Sequence, residues 1–315
     1  MNSHTPAALI GGIEAGGTKF ICAVSDGSPG RLLDRARFDT GSEPARLMQQ
    51  VVDWFIAAQQ RFGPLTAIGV ASFGPVEPDP RSSSFGWITT TPKLGWQQTD
   101  LLSPLRKAFP AAQLGFDTDV NGAAVGEARW GAGQGLEDFV YITVGTGIGG
   151  GGFSGGNLLH GLMHPEMGHM GIPPLPGDDF PGACPFHGRC WEGLCSGPAI
   201  AARAGMPVEQ LPPDHPAWDH VVHAMAHALV NITYVLSPQR IILGGSVRKA
   251  GQLGEVAFFE KLHAAIRRLL NGYLAKSVFT ATGITDYVVP PILADDAGLW
   301  GSIALAQSLV EQSPR

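Results

Sequence analysis

Ala8-Leu9-Ile10-Gly11-Gly12-Ile13, then Glu14-Ala15-Gly16-Gly17-Thr18-Lys19, then Phe20-Ile21-Cys22-Ala23-Val24: this opening stretch reads as strand, turn, strand. Two apolar strands joined by a glycine turn make a hairpin. In a P-loop or a dinucleotide fingerprint the glycines lead from a strand into a helix, so this stretch is neither. The pattern returns at Phe139 to Phe153, where Gly145-Thr146-Gly147-Ile148-Gly149-Gly150-Gly151-Gly152 sits between or within a second pair of strands.

Outward from the first hairpin, apolar residues at helical spacing (Leu47, Val51, Trp54, Phe55, Ala58) predict a helix over Glu43 to Phe62, and Leu65 to Ser72 reads as a buried strand. A helix over Leu101 to Phe109, a strand over Gln113 to Asp117 and a small-residue helix over Gly122 to Trp130 follow. Beyond the second hairpin, a helix over Ala217 to Leu236, a strand over Arg240 to Leu243 ending in Gly244-Gly245, a helix over about Glu255 to Leu274 and a closing helix over Ala297 to Glu311 complete the chain. Strands alternating with helices give the α/β class, in two halves that each begin with a glycine hairpin. The run Phe73 to Trp96, rich in Gly, Pro, Ser and Thr, reads as a binding loop.

Composition narrows the classes further. A chain of 315 residues predicts about two domains, and 44% hydrophobic residues suffice for a real core. The net charge is −6, with no Lys/Arg cluster, so nucleic acid is not an expected partner. No apolar run reaches the length of a membrane helix, and residues 1–12 lack the pattern of a signal peptide, so the expected location is cytoplasmic, away from the membrane. Three of the four cysteines crowd into twelve residues beside a histidine, which in a cytosolic chain reads as metal chemistry.

Four constellations carry possible chemistry. In Gly16-Gly17-Thr18-Lys19, backbone N–H groups free of side chains could approach a phosphate, with a hydroxyl and a charge alongside; the same residues would also serve an ordinary tight turn. The denser run Val144-Gly145-Thr146-Gly147-Ile148-Gly149-Gly150 carries so many glycines that a purely structural reading must explain their cost, roughly 0.5–1 kcal/mol each relative to Ala, and it reads as a phosphate contact. Asp117-Thr118-Asp119-Val120-Asn121 stands where a strand ends and a helix starts; an aspartate there caps the helix or accepts a substrate proton. Cys184-Pro185-Phe186-His187-Gly188-Arg189-Cys190 offers three ligands within seven residues, and His169 would complete a tetrahedral zinc site. Cys195 is left outside that set, and His223 with His227 read as ordinary helix positions.

The segments Gly11 to Lys19, Thr91-Pro92-Lys93-Leu94-Gly95-Trp96, Asp117 to Asn121, Gly145 to Gly149, His164-Pro165-Glu166-Met167-Gly168-His169, Cys184 to Gly193 and Leu243-Gly244-Gly245-Ser246-Val247, in this order over nearly the whole chain, resemble the ROK family of sugar kinases, most closely its bacterial fructokinase branch. The resemblance implies two RNase H-like domains of the hexokinase/actin-like ATPase superfamily, with ATP and sugar in an interdomain cleft. The domains would span 1–117 and 118–296, with the C-terminal helix 297–315 packing back on the first. It also implies that the glycine turns are phosphate loops, that Gly244 and Gly245 lie against adenosine, and that Glu14 sits near Mg2+ through water. Asp119 matches the catalytic aspartate. Thr118, Asp119, Glu166, His169 and Glu192 match the sugar-binding set, and His169, Cys184, His187 and Cys190 the zinc ligands. Many relatives carry Asn where Thr118 stands, which favours the fructokinase branch.

The implied reaction is ATP-dependent phosphorylation of the 6-hydroxyl of D-fructose, with ATP, Mg2+ and Zn2+ as cofactors and a homodimer as the expected assembly. The alternatives are a kinase of glucose, mannose or N-acetylglucosamine, a sugar-sensing regulator, and an actin-like ATPase. The first hairpin begins by residue 14, which leaves no room for a helix-turn-helix and weighs against the regulator.

Overall fold

A computed structural model describes residues 9–28 and 30–312. Ala8, expected to begin the first strand, and residues 313–315 of the expected C-terminal helix lie outside the described residues, as does the N-terminal stretch 1–8 examined for a signal peptide.

In chain order the strands are β1 (Leu9–Ala15), β2 (Lys19–Ser25), β3 (Leu32–Asp39), β4 (Leu65–Ser72), β5 (Trp87–Ile88), β6 (Thr99–Asp100), β7 (Gln113–Thr118), β8 (Phe139–Val144), β9 (Ile148–Ser154), β10 (Asn157–Leu158), β11 (Arg240–Gly244) and β12 (Val288–Val289). The α-helices are α1 (Pro44–Phe62), α2 (Leu102–Ala108), α3 (Asp119–Trp130), α4 (Trp191–Cys195), α5 (Gly197–Ala204), α6 (Ala217–Leu236), α7 (Glu255–Leu270), α8 (Ile284–Tyr287) and α9 (Ala297–Gln312). Two compact units result, one made of 1–134, 160–164 and 295–315, the other of 135–159 and 165–294.

The first unit carries the sheet order β3-β2-β1-β4-β7, with β1 antiparallel to β2 and parallel to β4, and β4 parallel to β7. The second carries β10-β9-β8-β11-β12, with β8 antiparallel to β9 and parallel to β11, and β11 parallel to β12. Both begin with a hairpin and add parallel strands on the hairpin's first strand. The halves therefore share one topology, which is the hexokinase-like α/β fold.

Each sheet is buried against helices. In the first unit the apolar face of α1, Leu47, Val51 and Phe55, joins Ile13, Phe20 and Ile68 in one core. In the second, α6 and α7 bring Trp218, Leu229 and Phe258 against Val140, Ile142 and Leu243.

Helix α9 lies on β1, β4 and β7 and against α3. Glycines allow the approach: a Cβ at Gly69 in β4 would stand 1.9 Å from the Ser302 carbonyl oxygen, and one at Gly301 would stand 1.8 Å from that of Gly122. This packing moves the border expected at residue 117/118. α3 rests on α9 through Gly122 and Gly126 and so clusters with the first unit, which ends its first stretch at residue 134.

The loop expected over Phe73 to Trp96 contains β5, which pairs with β6. It is anchored by the fully buried Trp96, whose Nε1 donates to the Gly41 carbonyl at 3.0 Å and whose ring meets Phe20 and Phe73.

Candidate active site

The first glycine turn joins β1 to β2. Gly16 N–H donates to the Lys19 carbonyl at 2.9 Å, and a Cβ at Gly16 would crowd that same oxygen at 2.8 Å, so the turn needs a residue without a side chain there. A Cβ at Gly17 would meet nothing within 4 Å, so the outer face of the turn is open. Thr40 braces it from β3's end, its hydroxyl donating to the Gly16 carbonyl at 2.7 Å and its N–H to the Thr18 carbonyl at 3.0 Å. An open, braced turn with Lys19 beside it suits an anionic ligand.

Glu14 stands in β1, one residue before Ala15 and the turn. Burial raises its carboxyl to about 7, with Lys19 opposing and the charges of Asp119 and Asp296 adding to the rise. Its Oε2 is buried and makes no hydrogen bond among the described residues. An orphaned carboxylate oxygen among other acids is the kind of group a hard divalent cation complements, so the donor set fits Mg2+.

Asp119 is the first residue of α3. The helix is capped by Thr118, whose Oγ1 accepts from the Asn121 N–H at 3.0 Å, and Oδ1 of Asp119 accepts from the Val120 N–H at 2.9 Å. Thr118, expected against a sugar, is buried and has its hydroxyl oxygen committed to the cap. The two readings of this motif are thus divided between neighbours: Thr118 caps, which leaves the Asp119 carboxylate available. Asp119 lies deep among protein atoms yet keeps part of its surface open, and burial raises it to about 6 against the pull of the Val120 N–H. No ion pair holds it among the described residues.

A neighbour network missed in the sequence holds this corner. Asp117 at the end of β7 accepts from the Thr118 N–H at 2.7 Å and from Asn121 Nδ2 at 2.9 Å, and its Oδ2 lies 3.0 Å from His160 Nε2. The Asp117 hydrogen bond raises the His160 pKa, which favours a charged imidazolium. His164, in the same 160–164 segment, accepts from the Val76 N–H at 3.1 Å. Both partners are far off in sequence, so no local pattern announces them.

The second glycine turn, between β8 and β9, is closed by Gly145 N–H donating to the Gly147 carbonyl at 2.9 Å. Thr146 stands between these two glycines at the head of the turn. Gly197 N–H, in the first turn of α5, donates to the Gly145 carbonyl at 2.7 Å. Gly245 follows β11 with φ of +83°, and a Cβ there would collide with the Val144 backbone; Gly244 lies just as close to the Tyr141 ring. The glycine pair at the end of β11 thus packs on β8 just before its turn.

His169, Cys184, His187 and Cys190 come together in the second unit, their ligand atoms all within 4.8 Å of one another. His169 Nδ1 lies 3.5 Å from Cys190 Sγ and 3.9 Å from Cys184 Sγ, and His187 Nδ1 lies 3.7 Å from Cys184 Sγ. Around a tetrahedral Zn2+ with ordinary bond lengths, an N···S edge is about 3.6 Å. The cluster therefore fits that ion. Burial pushes the Cys190 thiol up to about 11, and a divalent cation would convert it into a thiolate ligand. Cys195 stands apart, fully buried, with its Sγ 3.6 Å from the Val221 carbonyl. The His223 and His227 rings lie 4.4 Å apart and belong to no metal-binding group among the described residues.

Two features of this segment escaped the sequence reading. Asp178 ties residues 171–182 to α5 through both oxygens, 2.8 and 3.0 Å from Arg203, and these bonds hold its carboxyl well below the usual range. Glu192, in the first turn of α4, directs Oε2 to the Ile148 N–H at 2.9 Å. Glu166 is exposed just before the 3-10 turn Met167–His169.

The family model described as "ROK family" matches residues 10–309. The chain belongs to the ROK family. This ROK protein is 38% identical to a fructokinase of Pediococcus pentosaceus, over 97% of this chain and 100% of the relative, and 40% identical to a fructokinase of Zymomonas mobilis, over 95% and 96%. Among solved structures, a ROK hexokinase from Thermus thermophilus superposes with a TM-score of 0.76 at 28% identity, covering 97% of this chain and all of that one. A ROK family glucokinase from Streptomyces griseus, in complex with glucose and AMPPNP, gives a TM-score of 0.69 at 25% identity, covering 96% and 100%.

Proposed function

We propose that this ROK protein, an ATP-dependent hexose kinase, phosphorylates the 6-hydroxyl of D-fructose, with Asp119 as general base. The observation that carries the chemistry is the Asp119 carboxylate, raised to about 6, free of any ion pair among the described residues and fixed at the first turn of α3. A base poised there is ionised at pH 7 yet holds a proton well enough to take one from a hydroxyl. The choice of fructose rests on the full-length likeness to fructokinases.

In the first unit, Asp119 orients the 6-hydroxyl and accepts its proton as the phosphoryl group transfers, late if the transition state is loose. The Gly17 N–H on the open face of the turn, with Thr18 and Lys19, receives phosphate oxygens, while the Gly16 N–H, held by the Lys19 carbonyl, shapes the turn. Glu14 would hold Mg2+ through water, and the ion supplies neutralisation of phosphate charge. In the second unit, Gly145, Thr146 and Gly147 receive phosphate, and Gly244 and Gly245 leave room for adenosine. Glu166, His169 and Glu192 hold sugar hydroxyls; with Nδ1 of His169 facing the cysteines, its Nε2 is the nitrogen left for the sugar. His169, Cys184, His187 and Cys190 would hold Zn2+, which would supply rigidity rather than chemistry. No helix among the described residues is long and apolar enough to cross a membrane.

The pH dependence follows from the base. Since Asp119 must be ionised, log(kcat/KM) for fructose is expected to fall with unit slope below about pH 6, and Asp119→Glu is expected to move that break; a flat profile down to pH 5 would remove Asp119 from the role. The proposed product is tested by phosphorus NMR of a reaction of MgATP with fructose. Phosphate on C6 supports the reading, and phosphate on C1 overturns the placement of the hydroxyl.

A further inference from the structure

The zinc cluster and the second glycine turn are joined by a side chain and by packing. Cys190 immediately precedes α4, and Glu192 in its first turn accepts the Ile148 N–H through Oε2 at 2.9 Å. Ile148 is the first residue of β9, next to Gly147, and a Cβ at Gly147 would stand 2.8 Å from that same Oε2. The other Glu192 oxygen makes no hydrogen bond among the described residues.

The opposite arm of the cluster reaches the same strand. His169 closes the 3-10 turn Met167–His169, whose Gly168 packs so closely that a Cβ there would lie 2.0 Å from the Ile148 carbonyl oxygen. A Cβ at Gly150 would meet the Met167 sulfur at 2.6 Å. Both faces of Ile148, its N–H and its C=O, are thus set by residues one or two positions from a zinc ligand. A close glycine contact at the carbonyl and a carboxylate at the amide leave the strand start little freedom.

We infer that Glu192 is a positioning residue for the nucleotide loop: through its bond to Ile148 N–H, the metal cluster holds the turn Gly145–Ile148 in its phosphate-receiving shape. The inference deepens the kinase reading and rests on its assignment of that turn to phosphate. With Oε2 on the loop and Oε1 left for a sugar hydroxyl, one carboxylate serves both substrates. A carboxylate shared in this way makes sugar binding and loop order reinforce each other.

The test uses zinc-loaded full-length protein and calorimetric binding of the magnesium complex of a non-hydrolysable ATP analogue, without sugar. Glu192→Ala is expected to weaken binding about tenfold with zinc content unchanged. Glu192→Gln keeps an oxygen for the Ile148 N–H and is expected to stay within about twofold of the parent, while its KM for fructose rises. Hydrogen exchange on the unsubstituted chain needs no variant: the Ile148 amide is expected to exchange at least about tenfold faster once a chelator strips the metal. Unchanged nucleotide affinity in Glu192→Ala, Glu192→Gln as weak as Glu192→Ala, or an Ile148 amide indifferent to metal would each overturn the inference. The absence of sugar-stimulated ATP turnover would instead strike the kinase reading and leave these binding results standing.

Discussion

Asp119→Ala is expected to lower kcat by about 10³-fold, the scale lost when a positioned general base is removed, while affinity for the magnesium nucleotide stays within a few-fold. The separation follows from the geometry. Asp119 is not the helix cap, a task performed by Thr118, and it pairs with no cation among the described residues, so its loss leaves α3 in place. Asp119→Asn sharpens the test through stability. The folded state holds this carboxyl at about 6 and the unfolded chain near its ordinary 3.8. The folded state therefore binds the proton more tightly, and ionising Asp119 costs stability progressively from about pH 4 to pH 6 and fully above. Above pH 6 the Asn variant escapes that cost, so its Tm at pH 8 is expected to equal or exceed the parent's while turnover is lost. A variant with a tenth or more of parental kcat would sink the base assignment.

Removing the zinc ion proposed for the His169, Cys184, His187 and Cys190 cluster is expected to have the next largest effect. Cys190→Ser, or chelation of the parent, is expected to release the segment between residues 171 and 195 to proteolysis and to raise the fructose KM by about tenfold or more, because metal binding is folding free energy for a segment this rich in Gly and Pro. The Asp178–Arg203 pair limits the damage: it anchors residue 178 to α5 without the metal. Cleavage is thus expected to fall mainly between residues 179 and 190. Stoichiometric metal loss with unchanged fructose KM would contradict the orienting role of the cluster.

Much of this was legible in the sequence because the signals are local. The two hairpins are announced by apolar runs around Gly16-Gly17 and Gly145-Thr146-Gly147, and β4 and α6 fall on the spans read from periodicity. The four metal-cluster residues were legible because ligand spacing is itself a local pattern. What stayed hidden depends on contacts across the chain. The family resemblance implies a domain border at residue 117/118; α3 joins the first unit because α9, nearly 180 residues later, packs on its glycines. His160 carries no local mark of its partner, because it is β7 that puts Asp117 beside it. Glu192 carries no local mark of its bond to Ile148, forty-four residues away.

The central claim is tested most directly by sugar-dependent ADP release from MgATP, measured in parallel on fructose, glucose, mannose and N-acetylglucosamine. The account predicts turnover with fructose leading by at least tenfold in kcat/KM, about 1.4 kcal/mol of transition-state stabilisation. No ADP release with any of the four sugars would contradict it.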